Sequence, residues 1–181
     1  MHTGHHHADR RSPYVFDVHE ISRRAGMMRE HDVVLPAPEE LGTAVIGVPE
    51  GSDVHLDLRL ESVVEGVLAT GTVEVELTGQ CSRCLRELED EQSYRFQELF
   101  MHPGREVEED ELLIVDETVD IEEPLRGAVV LDLPFTPLCA EDCRGLCPEC
   151  GFDLNDDPTH THGDKVDPRW EKLAGLIDDN D

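Results

Sequence analysis

The stretch VHLDLRL, residues 54–60, places Val54, Leu56, Leu58 and Leu60 in alternation with His55, Asp57 and Arg59. Successive side chains of an extended backbone point to opposite faces, so strict period-two alternation predicts a strand with one buried face and one wet face. TVEVELT, residues 72–78, repeats the pattern with Val73, Val75 and Leu77 set against Glu74 and Glu76. Between the two, VVEGVLATG reads as a further short strand broken by two glycines, and SYRFQELF, residues 93–100, is a third alternating piece. One-sided strands in series predict an antiparallel meander from about residue 54 to about residue 100. His55 falls on its polar face and is expected to be solvated.

Outward from the meander the signals are shorter. Upstream, YVFDVHEI alternates loosely as a strand, SRRAG reads as a turn or short helical piece, and residues 36–51 are punctuated by proline and glycine. Downstream, residues 106–123 hold ten acids and no basic side chain, a solvated run around the short apolar strand LLIV. The spacing and glycine of a calcium-binding EF-hand loop are absent from it. Asp120 and Glu123 have capping-box spacing, Ile121, Leu125, Ala128 and Val129 follow at helical spacing, and Pro134 ends the helix. DPRWEKLAGLI predicts a second helix anchored by Trp170. The expected organisation is a tail over residues 1–12, a β-rich body with one helix over 13–135, and a zinc-knuckle segment with a C-terminal helix over 136–181. The fold class is α+β, an antiparallel meander with a few helices and a zinc-stapled C-terminal segment.

A net charge of −27 on 181 residues argues against a general nucleic-acid binder, which needs cations to displace the counterions of phosphate. Five of the fifteen basic residues lie within residues 1–31, so the rest of the chain carries almost all the negative charge, which suits a basic protein partner. No apolar run approaches the ~18 residues of a membrane span, and the N-terminus lacks the apolar region of a secretory signal. The chain is therefore expected in the cytoplasm, where thiols stay reduced and six cysteines point to metal rather than disulfides.

The cysteines are grouped. GQCSRCL contains Cys81 and Cys84, and LCAEDCRGLCPECGFDLNDDPTHTH contains Cys139, Cys143, Cys147 and Cys150 followed by His160 and His162. A C-x2-C pair on a tight turn aims two thiolates at one ion, and the glycine of CPECG permits the reversing turn. Six cysteines and two histidines make eight donors, enough for two tetrahedral zinc shells. The local shell is Cys147, Cys150, His160 and His162, which leaves Cys81, Cys84, Cys139 and Cys143 for the other. A single site remains the alternative, formed by Cys81 and Cys84 with Cys147 and Cys150, or by Cys139, Cys143, Cys147 and Cys150. Closed four-donor shells hold zinc as a staple and leave no open position for a substrate.

Two enzymatic readings compete. THTHGDK sets His160, His162 and Asp164 as H-x-H-x-D, the start of a dinuclear hydrolase motif, but Lys165 stands where a further histidine is needed and no histidine follows His162. A dithiol oxidoreductase at Cys81 and Cys84 would want a βαβ setting, whereas the flanks here read as antiparallel strands. A zinc-ribbon transcription regulator would need a basic helix, and none is apparent.

CSRCL after a meander, then LPFTPLCAEDCRGLCPECGFDLN, then DPRWEKL, resembles the YceD family, named for large ribosomal RNA subunit accumulation. The resemblance runs from the first strand to the last helix. Many members carry C-x-C where this chain has His160 and His162, and some lack the CPECG pair, which implies two separable sites, one of them Cys81 and Cys84 with Cys139 and Cys143. It further implies a non-enzymatic factor in large-subunit biogenesis, with a large-subunit precursor as partner and no membrane or small-molecule substrate. The contact is expected through a basic ribosomal protein facing the acidic body, or through rRNA facing Arg83, Arg86 and Arg144 at the knuckle tips.

Overall fold

A computed structural model describes residues 12–104 and 111–162. The DPRWEKLAGLI helix, Asp164 and the polar tail over residues 1–11 lie outside them. The elements in chain order are β1 (Val15–Asp17), β2 (Met28–Pro36), β3 (Ile46–Gly47), β4 (Asp53–Ser62), β5 (Gly66–Gln80), β6 (Glu87–Met101), β7 (Thr118–Asp120) and α1 (Glu122–Asp132).

β5 is the spine of a five-stranded antiparallel sheet. On one side β6 pairs with it from Gly66↔Met101 to Gln80↔Glu87. On the other side β4 pairs from Val54↔Val75 to Ser62↔Val67, and β3 continues that track at Thr78 and Gly79. β2 lies outside β4. The alternation read from VHLDLRL is realised without a slip: Val54, Leu56, Leu58 and Leu60 are buried and His55, Asp57 and Arg59 are exposed. With Val67, Ala69, Val73, Val75 and Leu77 of β5 and Tyr94, Phe96 and Phe100 of β6 they form one apolar cluster. The same cluster takes in Phe16 of β1, Val119 of β7, and Leu125 and Val129 of α1, so these elements close over the sheet's apolar face.

Three expectations are corrected. VVEGVLATG does not form a separate broken strand, because both of its glycines belong to β5. At the centre of the sheet Gly71 is flanked by Leu58 and Phe96, and a Cβ on it would lie 2.3 Å from Cε1 and Cζ of the Phe96 ring. The glycine is therefore a seat for an aromatic ring, not an interruption. LLIV makes only isolated bridges at Leu113 and Val115. Asp120 is not the N-cap of α1: Ile121 occupies that position, and the Asp120 carboxylate instead accepts the Glu122 N–H at 3.1 Å. The C-terminal stop does follow from Pro134, which holds Leu133 extended. β2 was not anticipated, since MREHDVVLP alternates only weakly. Among the described residues no helix is long and apolar enough to cross a membrane.

Candidate metal centres

The turn of the β5–β6 hairpin, residues 81–86, is itself a C-x2-C knuckle. Leu85 N–H donates to Cys81 O at 2.9 Å, and Cys81 N–H donates to Arg86 O at 2.8 Å. The segment after Gly145 repeats this backbone: Gly151 N–H donates to Cys147 O and Cys147 N–H to Phe152 O, both at 2.8 Å. Each knuckle turns back through a left-handed residue directly after its second cysteine, Gly151 at φ 74° and Leu85 at φ 61°. Glycine adopts that geometry freely, whereas a residue with a Cβ gives up about 1–2 kcal/mol.

The two knuckles gather the eight donors into two groups, Cys81, Cys84, Cys139 and Cys143 in one and Cys147, Cys150, His160 and His162 in the other, each with its ligand atoms within 4.8 Å of one another. Hairpin and C-terminal segment meet because Ser82 N–H donates to Pro137 O at 2.8 Å, which carries Cys139 and Cys143 over the hairpin turn. In the first group Cys81 Sγ lies 3.7 Å from Cys143 Sγ and Cys84 Sγ lies 3.5 Å from Cys139 Sγ. A tetrahedral zinc with bonds of about 2.3 Å to sulfur has sulfur–sulfur edges of about 3.8 Å. A disulfide needs about 2.05 Å, and all six cysteines are free thiols. In the second group Cys150 Sγ lies 3.3 Å from His160 Nε2 and 3.1 Å from His162 Nε2, and the two imidazole nitrogens are 3.0 Å apart. With bonds of about 2.0–2.1 Å to nitrogen, the corresponding tetrahedral edges are about 3.6 and 3.4 Å. Both donor sets thus fit zinc in type and number; the sulfur set also matches its edge lengths, and the mixed set is a few tenths of an ångström tighter than them.

Electrostatics point the same way. Burial pushes the Cys81 thiol up, but the backbone N–H groups of Cys84, Cys139 and Arg83 outweigh it and bring the thiol down to about 6. Its neighbour Cys139 is pushed up to about 12 by the sulfurs of Cys143 and Cys84 and by burial. Four thiols so close cannot all ionise without a cation among them. In the second knuckle the backbone N–H groups of Cys150 and Glu149 lower the Cys147 thiol.

The surroundings of the sulfurs use residues expected elsewhere. Arg83 Nη1 donates to Cys143 O at 2.9 Å, and Arg86 Nε donates to Asp153 Oδ2 at 2.7 Å while its Nη2 pairs with Asp156. All three arginines read as knuckle-tip contacts are exposed, but Arg83 and Arg86 are bonded within the fold, whereas for Arg144 it is the backbone N–H that donates, to Asn155 Oδ1 at 2.8 Å. Asn155 also points Nδ2 at Cys143 Sγ, 3.5 Å away. Phe152 stacks on the His160 ring with centroids 4.5 Å apart. Asn155 and Leu85 were not singled out from the sequence; the only cue to the first was its place in DLND, an Asx-type turn. His160 and His162 face the Cys150 thiol, and the aspartate of the hydrolase reading lies outside the described residues.

An antiparallel β-sheet body with one helix, whose central hairpin turn meets a C-terminal segment at one cysteine quartet while a second Cys/His quartet lies within that segment, both able to hold a metal, defines a knuckle-bearing α+β protein. The chain belongs to the family of the large ribosomal RNA subunit accumulation protein YceD, whose model matches residues 69–177. An uncharacterized protein of Mycobacterium tuberculosis is 44% identical over 172 residues, covering 92% of this chain and 82% of that one. An uncharacterized protein of Mycobacterium leprae is 37% identical over 171 residues, covering 92% and 78%, and the uncharacterized protein YlbN of Bacillus subtilis is 29% identical over 113 residues, covering 61% and 66%. No solved structure gives a significant match.

Proposed function

We propose that this chain is a non-enzymatic factor of large ribosomal subunit biogenesis, whose acidic sheet face receives a basic ribosomal protein and whose two quartets each hold a structural zinc. Zinc bound by four protein donors supplies no open position for chemistry; in the first quartet it would crosslink the hairpin turn to the C-terminal segment, and in the second it would close a loop within that segment. Cys81 and Cys84 with Cys139 and Cys143 make one staple, and Cys147 and Cys150 with His160 and His162 make the other.

The observation that carries the protein-contact reading is the wet face of β4, β5 and β6. Asp53, Glu74, Glu76, Glu89 and Glu91 line an open depression of about 580 Å³ there. Glu76 and Glu91 sit directly opposite each other across the β5–β6 ladder. Like charges in that position destabilise a sheet, so a partner that neutralises them gains what the fold gives up. The rRNA-contact reading has less support because Arg83 and Arg86, though exposed, already give donors to Cys143, Asp153 and Asp156.

The test is capture from lysate with the full chain, with and without nuclease, compared with a Glu76→Gln/Glu89→Gln/Glu91→Gln variant. A basic large-subunit protein retained after nuclease and lost from the variant supports the reading. Recovery of rRNA alone, unchanged in the variant and lost on Arg144→Ala, replaces it with the RNA version. Rapid turnover of a substrate with rate dependent on Cys81 or His160 would defeat the non-enzymatic reading altogether.

A further inference from the structure

The two quartets differ in access. Cys81, Cys84 and Cys143 are 0%, 5% and 3% exposed, with Cys139 the one exposed member of its group. In the mixed quartet Cys147 is buried, Cys150 is exposed and both histidines are half-buried. A chelator removes zinc by binding it while the last protein ligands still hold on, so it needs an approach past the donors. Cys150, His160 and His162 leave one; three sealed sulfurs do not.

They also differ in what supports them. The segment bearing the mixed quartet leans on the first knuckle at four points. Leu146 N–H donates to Arg83 O at 3.2 Å. The approach is close enough that a Cβ on Gly145, at φ 76°, would lie 3.0 Å from that same oxygen. Arg86 clamps the carboxylates of Asp153 and Asp156. Asn155 joins Cys143 Sγ to the backbone of Arg144. These contacts are mutual; the asymmetry lies in the hairpin, since the β5–β6 ladder runs up to Gln80↔Glu87 and sets Cys81 and Cys84 by itself, whereas among the described residues the outer segment has no ladder of that length behind it.

We propose that the two zinc sites fill in order and empty in reverse. The four-cysteine site forms first and sets the hairpin turn; the mixed site of Cys147, Cys150, His160 and His162 then assembles on that platform and remains exchangeable with free Zn²⁺. Arg86 and Asn155 are the positioning residues that transmit the first site's order to the second. The outer knuckle is in this way conditional on available zinc, while the body and the inner staple are not. This rests on the reading of both quartets as zinc sites.

The experiment uses the full chain loaded with Zn²⁺ and challenged with excess colorimetric chelator at fixed pH, with released metal counted over time and the fold followed by circular dichroism. Two equivalents are expected, in a fast and a slow phase, with the sheet signal kept through the fast one. His160→Ala/His162→Ala should delete the fast phase and retain the slow. Arg86→Gln, which keeps all eight donors and the Asn155–Cys143 contact, should speed the fast phase by up to about tenfold, the low end for lost outer contacts around metal sites, and leave the slow phase unchanged. Release of both equivalents in one phase, or a fast phase unaltered by Arg86→Gln, overturns ordered loading while leaving two zinc sites standing. Fewer than two equivalents overturns the two-site reading itself, and neither result bears on the ribosomal assignment.

Discussion

Gly71→Ala tests whether the central strand is built around Phe96. Alanine in place of glycine in a strand ordinarily stabilises by about 0.5–1 kcal/mol, because the unfolded chain loses freedom. Gly71 has no positive φ to forbid the change. Its added methyl, however, would sit 2.3 Å from two atoms of a ring that is only 7% exposed, and β5 itself is held by strands on both sides. The ring must leave its rotamer or its pocket. An off-rotamer side chain costs about 0.5–1.5 kcal/mol, and surrendering part of a phenylalanine's burial forfeits some of its ~1.5–3 kcal/mol. The sum outweighs the entropic gain and leaves Gly71→Ala destabilised by about 1–2 kcal/mol, inside the range for overpacked cores. Urea titration of the zinc-loaded chain should show a lower midpoint with an unchanged slope. In a Phe96→Ala background the same substitution should become neutral or stabilising, a coupling that a double-mutant cycle reads directly. A single mutant at least as stable as the parent would refute the reasoning, and with it the view that β5 runs straight through Gly71 to deliver Cys81.

The knuckles offer a reciprocal pair: Gly151→Ala meets no atom within 4 Å, so its cost is backbone alone, about 1–2 kcal/mol less the ~0.4–1 regained from the unfolded chain. Leu85→Gly removes the same strain from a side chain already 58% exposed and should be neutral or mildly stabilising; melting temperatures that fall equally for both would contradict the shared geometry. Glu117 bonds Arg23 at 2.7 Å and His19 at 2.5 Å, which holds its carboxyl below the usual 4.5. A depressed carboxyl contributes stability above its unfolded value that is lost as pH falls through the folded one, so the melting-temperature gap between parent and Glu117→Gln should be present at neutral pH and shrink below about pH 4.5; a gap independent of pH argues against the clamp. In the zinc-loaded chain all six thiols should resist alkylation, and chelation should expose Cys150 before Cys81, Cys84 and Cys143; immediate labelling of Cys81 without chelator would rule out a metal-held first quartet.

The residues show where local chemistry sufficed. Leu56 and Glu74 declare their faces by alternation, because burial of one side of a strand acts on every second residue, and Gly151 declares its turn because only glycine enters that geometry without strain. Spacing alone also suggested which donors travel together after Cys147. Pairing across distance was decided only in three dimensions. That Cys81 and Cys84 meet Cys139 and Cys143 depends on the β5–β6 hairpin placing its turn against Pro137, a contact between residues far apart in the chain. The partners of Arg83 and Arg86 are of the same kind: both stay exposed, but only the fold brings a carbonyl or two aspartates within their reach. Short-range sterics and periodic burial are written residue by residue, whereas side-chain partners arise from loop closure, and one sequence read in order carries no record of which loops close.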